Sequence, residues 1–198
     1  MKFSNCLSKQ SLTKRYISII YNSESMERIE IKRVTLNDLS LLQEIGRRTF
    51  YETFSTSNTE ENMRKYLDEG FAEERLMNEV GNEHSEFYFA VLDETIIGYL
   101  KLNFGHSQTE LQDHGSLEIE RIYVLQEYHG KKVGQILYEK AIQVAIKKNV
   151  NYVWLGVWEE NPRAIRFYQK NGFVKFDEHI FKLGDDEQTD IMMKKTLK

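Results

Sequence analysis

The sequence predicts an α/β domain built on a mixed, mostly antiparallel sheet, and three patterns lead there. Phe87 to Leu92 and Thr95 to Phe104 are strand-like runs joined by the polar pair Asp93-Glu94, which reads as an antiparallel hairpin. Ser116 to Leu125, the helical stripe Val133, Ile136, Leu137, Ala141, Val144 and Ala145, and the apolar run Tyr152 to Trp158 then spell strand, helix and buried strand. Strands joined through such a helix are parallel. Phe173 to Leu183 and Thr189 to Leu197 close the chain as two strands about the polar turn Gly184 to Gln188.

The remaining elements follow in order. Ile29 to Val34 alternates apolar and polar residues as a strand does, and Thr35 with Asp38 forms a capping box ahead of a helix. That helix carries Leu39, Leu42, Ile45, Thr49 and Phe50 on one stripe; Asn58 with Glu61 is a second start signal, so two or three short helices fill residues 37 to 80. Within Ser116 to Leu125 the apolar residues Leu117, Ile119, Ile122 and Val124 recur at intervals of two, three and two. The extra residue between Ile119 and Ile122 shifts the face, which is the trace of a β-bulge; a strand buried on both faces, or a strand end, gives the same spacing. Asn161 and Pro162, the only proline, set the N-cap and first turn of a short helix that stops at Asn171-Gly172.

With 198 residues and 40% hydrophobic content, one compact domain is expected over residues 26 to 198. Residues 1 to 25 carry Lys2, Lys9, Lys14 and Arg15 and no acid before Glu24. They read as a disordered extension or the product of an upstream start, since Met26 precedes the first strand, though a transit peptide has similar composition. A net charge of −4 leaves no basic surface for nucleic acid and leans toward a cationic small molecule. Cys6, the single cysteine, allows no disulfide frame, zinc site or cysteine nucleophile in the folded part, which suits the cytoplasm. No apolar run approaches the ~20 residues of a membrane span. His84, His106, His114 and His179 lack metal-ligand spacing, so no metal is expected.

The junction Tyr128-His129-Gly130-Lys131-Lys132-Val133-Gly134 lies between a strand and a helix start, where unpaired N–H groups favour an anion. Such turns are common in α/β proteins, so this one is weak evidence alone. Together with Ile122-Tyr123-Val124 and the stretch Asn161 to Phe173, it makes residues 29 to 198 resemble the GNAT family of N-acetyltransferases. The family motif N-x-x-A-x-x-F-Y-x-x-x-G-F is matched at every fixed position by Asn161, Ala164, Phe167, Tyr168, Gly172 and Phe173. The turn departs from the family's Q/R-x-x-G-x-G/A: His129 replaces Gln or Arg, and Lys132 replaces the middle glycine. Either the loop avoids positive φ at Lys132 or the cofactor is gripped less tightly, with the ammonium near the pyrophosphate offsetting part of the loss.

The resemblance implies the α+β GNAT fold, a twisted sheet of about seven strands with helices on both faces and a bulged, splayed fourth strand. It implies acetyl-coenzyme A as cosubstrate, no metal, and cofactor contacts from Ile122 to Val124, His129 to Gly134, Asn161, Arg163 and Tyr168. Arg163 and Lys170 are explained equally well by a solvated helix face. The stretches Ser116 to Tyr123, Trp154 to Glu159 and Gly184 to Asp190 are similar to bacterial spermidine/spermine N-acetyltransferases, implying a polyamine acceptor. An alkyl amine of pKa ~10.4 is protonated at neutral pH, so a base is needed. The resemblance assigns that role to Glu120, with Glu118 in reserve, although a solvated strand position explains either. It assigns the oxyanion contact to the Ile122 N–H and protonation of the leaving thiolate to Tyr168. The acids Glu60, Glu61, Asp68, Glu69, Glu73 and Glu74 read as a solvent face before a polyamine groove. Another small amine, a protein N-terminus, or a non-catalytic coenzyme A-binding regulator remain alternatives, and a homodimer is left open.

Overall fold

The computed structural model describes residues 29–183 and 186–198. The extension at residues 1 to 25 lies outside the described residues, as do Gly184 and Asp185 of the last turn. In chain order the elements are β1 (Ile29–Arg33), α1 (Leu39–Phe54), α2 (Glu60–Gly70), α3 (Glu73–Gly81), β2 (Ser85–Leu92), β3 (Thr95–Phe104), β4 (Ser116–Val124), α4 (Val133–Lys147), β5 (Tyr152–Trp158), α5 (Pro162–Lys170), β6 (Val174–Leu183) and β7 (Asp186–Thr196). The seven strands form one sheet ordered β1-β2-β3-β4-β5-β7-β6. Every neighbouring pair is antiparallel except β4 and β5, which the crossover through α4 makes parallel.

Local chemistry explains most boundaries. Asp93 and Glu94 take φ of 47° and 67°, the left-handed pair that a tight two-residue hairpin turn needs. The Thr35 capping box heads a single 3-10 turn, Leu36–Asp38, that runs into α1. The start of α2 falls one residue later than Asn58: the N-cap is Thr59, whose Oγ1 accepts from Asn62 N at 3.2 Å. Asn58 instead donates Nδ2 to Phe54 O at 3.0 Å, satisfying an orphan carbonyl at the end of α1. Residues 186 to 188, expected in a turn, belong to β7, where Asp186, Glu187 and Gln188 pair with Leu183, Lys182 and Phe181. Backbone pairing with the edge strand β6 overrides their turn-like composition.

Two cores flank the sheet. Leu100, Leu102, Leu117 and Ile119 pack with Leu137 and Ala141 of α4. Leu42 and Phe50 of α1, Met63 of α2 and Leu76 of α3 cover the other face with Phe87, Phe89 and Tyr99. The alternation of Tyr99 with Leu100 along β3 is the period of two that puts neighbours on opposite faces. Truncating a buried leucine such as Leu137 to alanine costs about 2–5 kcal/mol.

Two irregularities shape the site. Lys101 faces Arg121 and Leu102 faces Ile119, so Glu120 is the extra residue of a bulge. Of the three accounts of the spacing in this strand, the bulge is the one observed. Parallel pairing of β4 with β5 covers only Ser116 to Glu118 against Tyr152 to Trp154. Beyond Glu118 the two strands part, while β4 stays paired to β3.

Candidate active site

The parted strands open a cavity of about 360 Å³, closed on one side by Phe50 and Phe54 of α1 and Tyr66 of α2. Glu118, Glu120, Ile122, Tyr123, Asn161 and Tyr168, far apart in sequence, all line it. None of the acids proposed as a solvent face on α2 and α3 does; they are exposed, and Asp68 pairs with Arg47 at 3.0 Å.

Backbone direction follows from one bond. Leu125 N donates to Ile97 O at 3.0 Å, so Leu125 points toward β3. Alternation along an antiparallel strand then turns Ile122 and Val124 the other way, toward the gap where the β5 ladder has ended. Val124 O accordingly meets His129 Nε2 at 2.8 Å. His129 Nδ1 lies 2.8 Å from Arg163 Nη1. A guanidinium only donates, so Nδ1 accepts and Nε2 carries the proton given to Val124 O. His129 thereby ties the turn to the β4 edge and to α5.

The turn itself contradicts the option that Lys132 avoids positive φ. Lys132 is the N-cap of α4 at φ 63°, and Gly130 takes φ 80°. Helix entry decides this, because Lys132 O must accept from Gln135 N and Ile136 N, at 3.0 and 3.1 Å. The left-handed lysine costs about 1–2 kcal/mol relative to an unstrained residue. The N–H groups of Gly130, Lys132, Val133 and Gly134 have no acceptor among the described residues, and a Cβ added at Gly130 or Gly134 would meet nothing within 4 Å. Free donors facing open space at a helix N-terminus fit a pyrophosphate. Asn161 caps α5 through Oδ1, which accepts from Ala164 N at 3.0 Å, and it also lines the cavity.

Two carboxylates flank the bulge in opposite electrostatic settings. Glu120 Oε1 is 3.1 Å from Arg121 Nη2, and Oε2 is 2.7 Å from Lys101 Nζ and accepts from Asn103 Nδ2 at 2.5 Å. Glu79 of α3 closes the quartet, 3.0 Å from Lys101 and 3.2 Å from Arg121. Burial pushes the Glu120 pKa up, but Arg121 and Lys101 outweigh it and hold it at about 2. Glu118 has no cation beside it: it accepts from Thr109 N at 2.9 Å, Thr109 Oγ1 at 2.5 Å and Asn103 Nδ2 at 3.0 Å. Burial, then the charge of Glu120, push its pKa up to about 7. Across the cavity Asp190 reaches about 6 through burial, with His179 opposing and Glu110 adding. Tyr168 is 5% exposed and burial pushes its phenol up, so it stays protonated at neutral pH.

Sequence reading missed Lys101, Asn103, Arg121 and Glu79. Lys101 and Asn103 did leave a signal, as polar residues two apart in an otherwise apolar strand that needs partners for them. Glu79, on a half-exposed helix face, left none.

This architecture and site define an acyl-transferring α/β protein with an anion-binding turn beside a splayed strand pair. The Acetyltransferase (GNAT) family matches residues 44–173, and the chain belongs to it; it is an N-acetyltransferase that uses acetyl-coenzyme A. An uncharacterised N-acetyltransferase of Lactobacillus delbrueckii subsp. lactis is 40% identical over 172 residues, covering 87% of this chain and 99% of the relative. A spermidine N(1)-acetyltransferase of Thermoplasma acidophilum is 30% identical over 171 residues, covering 84% and 96%. The crystal structure of a PaiA N-acetyltransferase from Thermoplasma acidophilum in complex with coenzyme A superposes with a TM-score of 0.71 at 29% identity, covering 85% of this chain and 98% of that one. Among the described residues no helix is long and apolar enough to cross a membrane, and no group of three or more His, Cys, Asp or Glu could hold a metal ion.

Proposed function

We propose that the acceptor is a polyamine and that Glu118 is the base that readies it. The charge balance of the cavity carries this reading. Arg121, Lys101, Glu79 and Glu120 neutralise one another. Arg75 joins that cluster through Glu79, at 3.1 Å. The lining adds Glu110, Glu118 and Asp190, with His179 3.2 Å from Glu110, so around the cavity five acids stand against the three cations Arg75, Lys101 and Arg121. Phe50, Phe54, Tyr66 and Trp158 supply apolar and cation–π surface for a methylene chain between ammonium groups. The spermidine N(1)-acetyltransferase at 30% identity supports the same acceptor.

A base of pKa about 7 is half ionised at neutral pH, the best compromise between availability and basicity, so Glu118 suits removal of an ammonium proton directly or through water. Glu120, held at about 2 by two cations, is a weak base and serves to keep Arg121 and Lys101 neutralised. Bound acetyl-coenzyme A supplies an acetyl thioester. The N–H of Ile122, aimed into the gap, is placed to meet negative charge developing on the carbonyl oxygen. Tyr168 offers its proton to the departing sulfur; since its phenol is pushed above its usual ~10, transfer relies on the same burial raising the thiolate above its usual ~8.5.

A panel of spermidine, spermine, a diamine, an alkyl monoamine and an N-terminal peptide, each with acetyl-coenzyme A, tests this. Polyamines should have the highest kcat/KM, and Asp190→Asn should raise KM for them about tenfold while sparing the monoamine. Turnover of another amine with none of spermidine or spermine would sink the polyamine reading.

A further inference from the structure

Tyr99 of β3 stands out in the core beneath α1 to α3. The aromatic residues packed in that core are otherwise phenylalanines where they are buried, at positions 50, 71, 87 and 89. Tyr99 is 0% exposed, and its hydroxyl is the one buried side-chain polar atom among the described residues with no hydrogen-bond partner. Burying an unpaired hydroxyl costs free energy that phenylalanine would avoid, so a partner outside the free protein is called for. The ring lies opposite Tyr123 across the β3–β4 ladder, centroids 5.9 Å apart, and both tyrosines line the cavity. The nearby charges cannot serve it: Glu120 is taken by Arg121, Lys101 and Asn103, and Arg121 is taken by Glu79 and Glu120.

We propose that the Tyr99 hydroxyl, covered in the free protein, is a binding group for the acceptor, accepting a hydrogen bond from an N–H of the amine once the side chains over it at the floor of the cavity shift aside. This rests on the cavity being the acceptor's site. The position fits an uncharged acceptor group: the quartet beside it is already neutral, so the phenol adds direction without adding charge. Binding then supplies the hydrogen bond missing from the free protein, and an amine gains over a hydrocarbon chain of the same length because only the amine can supply it.

Tyr99→Phe keeps the ring and removes the oxygen. Steady-state kinetics with spermidine should show KM for the amine raised about tenfold and KM for acetyl-coenzyme A unchanged, with a thermal midpoint equal to or above that of the wild type. An unchanged amine KM overturns the inference, since a water or nothing would then meet the hydroxyl. A midpoint several degrees lower overturns it too, because the hydroxyl would have a partner within the protein. A wild type that acetylates no amine in the panel overturns the proposed acceptor site, and this inference with it.

Discussion

Glu118 and Glu120 stand two residues apart on β4, share the Asn103 amide, and differ in pKa by the distance from about 7 to about 2. Desolvation raises both, so it cannot explain the contrast. What differs is the company on each side of the bulge. The extra residue turns Glu120 toward Lys101 and Arg121, whereas Glu118, the last residue paired to β5, meets only the neutral donors of Asn103 and Thr109. That contrast is what places the base at Glu118 in our proposal and leaves Glu120 to the ion pairs.

The largest effect should come from Glu118→Gln, which removes the base we propose without disturbing an ion pair. A loss of roughly 10²–10⁴ in kcat is expected. In the wild type, kcat/KM should rise with pH through about 7, and the variant should lose that limb. Stability carries a second signature. A raised carboxyl stabilises the fold fully below its unfolded value of 4.5, and that contribution disappears as pH rises through about 7. Urea titrations at pH 5 and 8 should thus differ less for Glu118→Gln than for the wild type; an equal difference would place the titration elsewhere.

Glu120→Gln should show the reverse pattern. It strips one anion from a quartet with two buried cations, at a cost of about 3–5 kcal/mol, while activity per folded molecule stays within a few-fold. Because the Glu120 carboxyl is depressed, its contribution is present above 4.5 and lost as pH falls through about 2. A variant of wild-type stability that has lost its activity would exchange the roles of the two residues.

Lys132→Gly tests the cofactor side and should be the smallest change. Glycine relieves the left-handed strain at φ 63°, offset by its greater entropy when unfolded, for a net gain of about 1 kcal/mol in chemical denaturation. An unchanged or lower midpoint would mean that the lysine side chain repays its strain.

Much of this was legible in the chain. The hairpin, the crossover and the seven strands follow from periodicity and turn residues, because each is set by contacts close in sequence. The interval of three between Ile119 and Ile122 allowed a bulge beside two other accounts, and Asn161 to Phe173 marked α5. The choice between the two carboxylates was not legible, and our proposal departs from the first preference, Glu120, because of the quartet around it. Its pKa is set by Lys101 from β3 and Glu79 from α3, residues brought to it from elsewhere in the chain. Lys132 was judged from residue preference, yet its φ is set by how the chain must enter α4.

The sequence by itself determined the element order, the parallel crossover, the phase shift in β4 and the family, since these are written in local pattern and motif. Tertiary structure alone decided which carboxylate sits among cations and which does not, and that the Tyr99 hydroxyl is buried without a partner. Charge and hydrogen-bond satisfaction depend on distances between groups far apart in sequence, and those distances exist only once the sheet and its covering helices have come together.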